Sequence, residues 1–175
     1  NQPHLAGTIG MMSASCNNLQ EAFVQGIKFL KMQGDFATLS FIDHEKYPKL
    51  VYKLAQAWTI KHEMTAKLEV DVMFTYLCKI LHINSNGTLK PFRVNLSFSA
   101  PDNTEEYVSC FGLLPNFNNE ANELYFNKQD LLIPMKAFNP ETFNVLKLHL
   151  ENQLKTIENN QSVEDKVRTI LLSSI

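Results

Sequence analysis

The amino-acid sequence predicts an α+β fold: a mainly antiparallel sheet with helices packed on it, as a single domain that leads into a further C-terminal helix. Three observations predict it. Apolar residues recur with helical spacing in three long stretches, Leu19 to Lys31, Glu63 to His82 and Asn139 to Glu158. "FRVNLSF" (Phe92 to Phe98) alternates instead, setting Phe92, Val94, Leu96 and Phe98 against Arg93, Asn95 and Ser97, which is a strand with one buried and one polar face. "FATLSFI" (Phe36 to Ile42) is β-branched and aromatic and is followed, after the turn Asp43 to Lys49, by "LVYKLA" (Leu50 to Ala55); that pair reads as a hairpin. Hairpins interspersed with helices favour an antiparallel sheet covered by helices.

Each element has its own punctuation. Asn18 caps the first helix, Glu21 stands at its third position, and Leu19, Ala22, Phe23, Gly26, Ile27 and Leu30 form its stripe before Gly34 stops it. Val70, Met73, Phe74, Tyr76, Leu77, Ile80 and Leu81 make a wide stripe, so the second long helix is expected to be central and covered on much of its surface. "INSNGT" (Ile83 to Thr88) ends it. After the alternating strand, Asp102 and Glu105 open a short helix whose Tyr107, Cys110 and Phe111 face inward and which Gly112 stops. Leu113 to Phe126 reads as two short strands around an Asn-rich turn, and Asp130 to Met135 as a loop or short edge because Pro134 opposes ladder bonding. Asn139 and Pro140 open the last long helix. The polar "ENNQ" (Glu158 to Gln161) reads as a linker, after which Ser162 and Asp165 form a capping box for "SVEDKVRTILLSSI", with Val163, Val167, Ile170 and Leu171 on one face. The expected division is therefore 1–157, a 158–161 linker, and 162–175.

Composition narrows the function. At 175 residues the chain builds one core and at most a small appendage. Its net charge of −2 makes it a poor match for gripping DNA through phosphates, which needs a concentrated basic face. Cys16, Cys78 and Cys110 have no close spacing, so no zinc or redox motif is present, and Cys78 and Cys110 sit in apolar patterns that predict buried, inert thiols. No apolar run reaches membrane-spanning length and no signal peptide is visible, so no membrane partner is expected and the chain is read as cytoplasmic. The opening "NQPHLAG" lacks a methionine and reads as a cut start.

Catalytic chemistry is missing. There is no phosphate loop, no dinucleotide fingerprint, no nucleophile elbow and no HExxH zinc motif. The histidines are scattered, and the His44-Glu45 and His62-Glu63 dipeptides suit solvated surface better than a metal, so neither a metal nor a cofactor is expected. Two places suit a ligand. Trp58, Lys61 and His62 lie on the connector between the hairpin and the central helix, where an aromatic plate and cations fit an amphipathic or anionic molecule; alternatively Trp58 seals the edge of the core. Arg93, on the polar face of the alternating strand, either recognises a carboxylate or is solvated. Leu146, Leu150, Leu154 and Ile157 have nearly heptad spacing, which serves a dimer seam or packing within the chain equally well.

The order of these elements resembles the N-terminal effector and dimerisation domain of AraC-type transcriptional regulators, in the branch labelled arabinose-binding-like. "AGTIGMMSASCNNLQEAFVQGIKFLKM" is similar to the family's opening segment and capped helix, and "PFRVNLSFSAPDNTEEYVSCFG" to its strand, proline and Phe-Gly-ended helix. "LPNFNNEANELYFNKQDLLIPM" resembles the hairpin that follows, and "SVEDKVRTILLSSI" the lead-in to the DNA-binding domain. The resemblance spans residues 5 to 175. It implies a small-molecule effector, a homodimer and promoter DNA bound through a helix-turn-helix domain beyond this chain, with residues 162–175 as that domain's first helix. Relatives that bind a cyclic dinucleotide use arginines four apart; here Arg93 and Arg168 are distant, so that ligand is not implied. The competing readings are a stand-alone small-molecule-binding module and a small enzyme.

Overall fold

The frame is a four-stranded antiparallel sheet in the order β1–β2–β4–β3, made of β1 (Ala37–Ile42), β2 (Lys49–Leu54), β3 (Arg93–Asn95) and β4 (Asn122–Tyr125). The structure, a computed structural model, describes residues 7–34, 36–56, 59, 63–85 and 87–173, with side chains described throughout these except at 33 and 159–173. In the register, Leu39 lies opposite Tyr52, Phe41 opposite Leu50, and Leu124 between Leu50 and Val94. Side chains alternate across a strand, so this register gathers Leu39, Phe41, Leu50, Tyr52, Val94 and Leu124 on one face. That face carries the core. Leu50, Val94 and Leu124 are fully buried, in one cluster with Leu19 and Phe23 of α2 (Leu19–Leu30) and Val70, Phe74 and Leu81 of α3 (Glu63–Asn84).

The caps explain where the helices start. Asn18 Oδ1 accepts the Glu21 N–H at 2.9 Å, as the sequence predicts, while the Glu21 carboxylate reaches back to the Asn17 N–H at 2.8 Å. Asn139 Oδ1 likewise accepts the Thr142 N–H at 2.9 Å and opens α6 (Pro140–Ser173). The short helix α4 (Glu105–Phe111) begins later than expected. Thr104, not Asp102, stands at its cap, without a side-chain cap bond, and Asn103 Oδ1 takes the Glu105 N–H at 2.9 Å. Gly112 does end it, in the left-handed conformation (φ 77°). Asp130–Met135 is not an edge strand: a one-turn helix, α5 (Lys128–Leu131), precedes a single bridge between Pro134 and Asn18.

Two elements differ in extent. The alternating stretch 92–98 is a strand only over Arg93–Asn95, because its pairing then switches partner: the Leu96 N–H donates to Asn116 O at 2.9 Å and the Asn116 N–H to Val94 O at 2.8 Å. Of the two short strands expected within 113–126, one is β4 and the other is reduced to this bridge at Asn116. The second difference is α6, which runs unbroken from Pro140 to Ser173. The expected linker at 158–161 is helical, since Glu-Asn-Asn-Gln contains no glycine or proline and each asparagine costs a helix only about 0.6 kcal/mol. Ser162 therefore does not stand at a helix N-terminus.

The leucine stripe of α6 also finds a different partner from the one a dimer seam requires. Leu150 (2% exposed) and Leu154 (8%) are buried within the chain against Met12 of α1 (Gly7–Ala14) and Phe29 of α2, with Leu146 half-buried on the same cluster. Ile157 is half-buried. Gly7–Ala14, part of the opening segment before the first capped helix, is itself a helix and supplies the face that takes up the stripe. Lys28–Glu151 (3.0 Å) and Lys31–Glu158 (2.8 Å) flank the contact, but exposed pairs of this kind add little.

Candidate functional site

An open cleft of about 800 Å³ lies where the end of β2, the first turns of α3, Ser97–Ser99 and the residues before β4 converge. It opens where two strands stop: β2 ends at Leu54, and β3 leaves the ladder after Asn95. Tyr52, Asn122, Val70 and Ala66 are its buried residues, Leu54, Lys67 and Phe98 are among its half-buried ones, and Lys53, Glu63, Met64 and Glu120 stand on its exposed rim. Its size and mixed lining suit a small ligand.

The polar groups at the floor are fixed. The Tyr52 O–H donates to Glu69 Oε1 at 3.0 Å, and burial first, then the Glu69 charge, pushes the phenol well above its usual range. Asn122 is 7% exposed, and its Oδ1 accepts the Ser97 N–H at 2.8 Å. A backbone N–H requires an acceptor, so the amide orientation is forced and Nδ2 is left with two donors. Nδ2 has no acceptor among the described residues, and Asn122 lines the cleft. On the helix side, Lys67 Nζ stands 5.2 Å from the centre of the Phe98 ring. One turn further, burial raises the Asp71 carboxyl above its ordinary value despite the Tyr107 O–H, which lies 3.0 Å from both its oxygens, and the Lys67 charge.

Lys53, Glu63, Lys67 and Glu120 all line this cleft and none takes part in an ion pair among the described residues. The sequence reading missed Asn122, although a signal exists. In "NELYF", Asn122 alternates with Leu124 and Phe126 on the core side, and an amide at a core position asks for a reason.

Of the residues singled out from sequence, Trp58, Lys61 and His62 lie outside the described residues. Thr59 and Glu63, their chain neighbours, line the cleft. Arg93 is not brought there. It stands on the opposite face of the sheet, its guanidinium 4.0 Å from the centre of the Tyr125 ring. That outer face holds a satisfied network. Glu123 accepts from Lys49 Nζ (2.7 Å), Asn95 Nδ2 (2.8 Å) and the Tyr125 O–H (3.0 Å), and Asn116 Nδ2 donates to Asn95 Oδ1 at 3.1 Å. Burial works against the Glu123 charge, but these donors and the Lys49 charge outweigh it and hold the carboxyl below its ordinary value. The network explains why Asn95, expected on the polar side, is only 9% exposed.

A smaller hollow of about 280 Å³ separates α3 from α4 and is lined by Cys78, His82, Lys90 and Cys110 among others. Burial raises the Cys78 thiol to about 12, as it does that of Cys16, which fits the expected inert thiols. Cys110 is instead half-exposed, its Sγ 3.6 Å from Thr75 Oγ1. Among the described residues no cluster of His, Cys, Asp or Glu could hold a metal, and no helix is long and apolar enough to cross a membrane.

Residues 2–135 match the family model described as the arabinose-binding domain of AraC transcription regulator, N-term. Among solved structures, the fold is similar to that of the transcriptional regulator CdpR from Pseudomonas aeruginosa, with a TM-score of 0.66 and 14% identity. The match covers 81% of this chain and 45% of that one, so the chain spans less than half the length of this neighbour. No curated protein matches the sequence. The family model takes in most of the chain, including the whole sheet and the cleft, and the chain accordingly belongs to the family of AraC-type transcriptional regulators, as a regulatory domain of their N-terminal, arabinose-binding-like kind.

Proposed function

We propose that this domain binds a small-molecule effector in the cleft between β2 and α3 and uses α6 to bias a DNA-binding helix-turn-helix domain carried beyond it. The observation that carries the reading is Asn122, an amide nearly buried at the floor of the cleft with its Nδ2 donors unmatched among the described residues. A donor whose orientation the backbone already fixes is preorganised to meet a ligand oxygen. Trp58, Lys61 and His62, next to Thr59 and Glu63 in the chain, contribute an aromatic plate and cations to the same site, whereas Arg93 does not.

The domain works without catalysis, in the cytoplasm, as a homodimer. Leu150 and Leu154 being spent internally, the dimer surface of α6 is its other face, where Val145 (67% exposed) and Leu148 (60%) stand three residues apart. Residues 162–175 belong to the DNA-binding side, and the helical 158–161 stretch joins it stiffly to the sensor. Promoter DNA is contacted through the further domain alone. A ligand shifts the regulator only by its differential affinity for two arrangements.

A pooled-metabolite thermal-shift screen of residues 1–175 tests the sensing step. At least one pool should give saturable stabilisation that Asn122→Ala abolishes, since a ligand at about 100 times its Kd adds about 2.7 kcal/mol. Stabilisation equal in the wild type and Asn122→Ala would place binding elsewhere.

A further inference from the structure

The effector reading leaves the ligand's chemistry open, and the charges of the cleft narrow it. Two cations, Lys53 and Lys67, and two carboxylates, Glu63 and Glu120, face the same space, none of them in an ion pair among the described residues. A simple anion would face two acids, a simple cation two lysines, and an uncharged sugar would pair with none of the four. A ligand that carries both signs can pair with both kinds of group.

Resting on the effector reading, we propose that the cleft selects a small zwitterion of the amino-acid class with an apolar side chain. Its carboxylate lies between Asn122 Nδ2 and Lys67, which line the same cleft and each contact the Ser97–Phe98 segment: Asn122 is bonded to the Ser97 N–H at 2.8 Å and Lys67 Nζ is 5.2 Å from the centre of the Phe98 ring. Its ammonium is taken by Glu120, two residues before Asn122, and by Glu63, one turn before Lys67 on α3. Its apolar part rests on Phe98, Leu54 and Val70, which are half-buried or buried against the core. Asn122 is the specificity element. Its amide is held by the backbone at Oδ1, which leaves both Nδ2 donors for the ligand, so it favours an oxygen over an ammonium at the same place.

The test is two-dimensional NMR of the protein with the Asn122 side-chain amide assigned. The probes are L-leucine, L-phenylalanine, their deaminated counterparts 4-methylpentanoate and 3-phenylpropanoate, their decarboxylated counterparts 3-methylbutylamine and 2-phenylethylamine, and L-arabinose. The amino acids should move the Asn122 resonances saturably, with each single-charge counterpart at least about ten-fold weaker, an expected 1.4 kcal/mol or more. Lys67→Gln should weaken amino acids and acids together, whereas Glu120→Gln should weaken amino acids and spare the acids. Lys67 and Glu120 are partly or fully exposed, so the variants fold. Tighter binding of arabinose, an acid or an amine at Asn122 overturns the zwitterion assignment and leaves the effector site standing. No response of Asn122 to any of the seven probes also overturns it, and the effector reading then falls separately only if the metabolite pools fail too.

Discussion

Truncating Leu150 to alanine decides whether the leucine stripe of α6 serves this chain or a second copy. Leu150 is 2% exposed, in a cluster with Met12, Phe29 and Leu154. The substitution removes three buried carbons, about 2.4 kcal/mol of transfer free energy at about 0.8 kcal/mol per methylene. The void left between α1, α2 and α6 raises the cost to about 3–4 kcal/mol. For a domain of this size that lowers Tm by about 6–16 °C. Thermal unfolding followed by circular dichroism at two protein concentrations about twenty-fold apart separates the cases. If the packing is within one chain, Leu150→Ala lowers Tm by the same amount at both concentrations. A seam between chains makes the loss vary with concentration, by mass action. A loss below about 1 kcal/mol, or one that appears only at high concentration, would refute the intrachain packing.

Glu123→Gln removes the charge that pairs with Lys49 and replaces one of the two oxygens that take three donors with an NH2 group, and should cost about 2 kcal/mol at pH 7. Because the folded Glu123 pKa lies below its unfolded value, the wild-type advantage is present above about pH 4.5 and is lost as pH falls through the folded pKa, so chemical denaturation of the two proteins should converge at low pH. Asp71 has the opposite sign: its folded pKa is raised, so wild-type stability declines as pH rises from about 3.8 through the folded value. Asp71→Asn should flatten that decline while still accepting the Tyr107 O–H, and a parallel pH–stability curve would contradict it. Gly112→Ala places a Cβ 3.0 Å from Lys90 Cδ at φ +77°, and should destabilise by about 1–2 kcal/mol in a urea melt.

Local chemistry was legible at several single-residue boundaries, although Asp102 and Ser162 read as caps and do not stand at helix starts. Asn18 and Asn139 each use their own side-chain oxygen as a cap, and Gly112 needs only its missing Cβ, so those boundaries could be read without the fold. The hairpin of β1 and β2 and the core stripe of α3 follow from periodicity for the same reason. What was not legible depends on partners distant in sequence. Leu150 and Leu154 look the same whether α1 or another molecule covers them. Asn95 looks solvated until Glu123 and Asn116 arrive beside it. The polar 158–161 stretch resembles a linker because composition alone does not reveal that the helix has no reason to stop. The cleft is the extreme case: it is built from four separate chain segments, and only the inward asparagine of "NELYF" announces it.

The unbroken α6 has a consequence that can be stated as phase. Its stretch through Leu154 is gripped by α1 and α2, and from there to Ser173 the backbone keeps a fixed screw of about 100° and 1.5 Å per residue. One residue inserted after Ile157 therefore rotates everything carried at the far end by about 100°, whereas seven inserted residues bring it back to within about 20° of its original bearing at a cost of about 10 Å in reach. Any output hung on that end is keyed to angle as much as to distance. A set of insertions of one to seven residues should lose and regain it with the period of the helix.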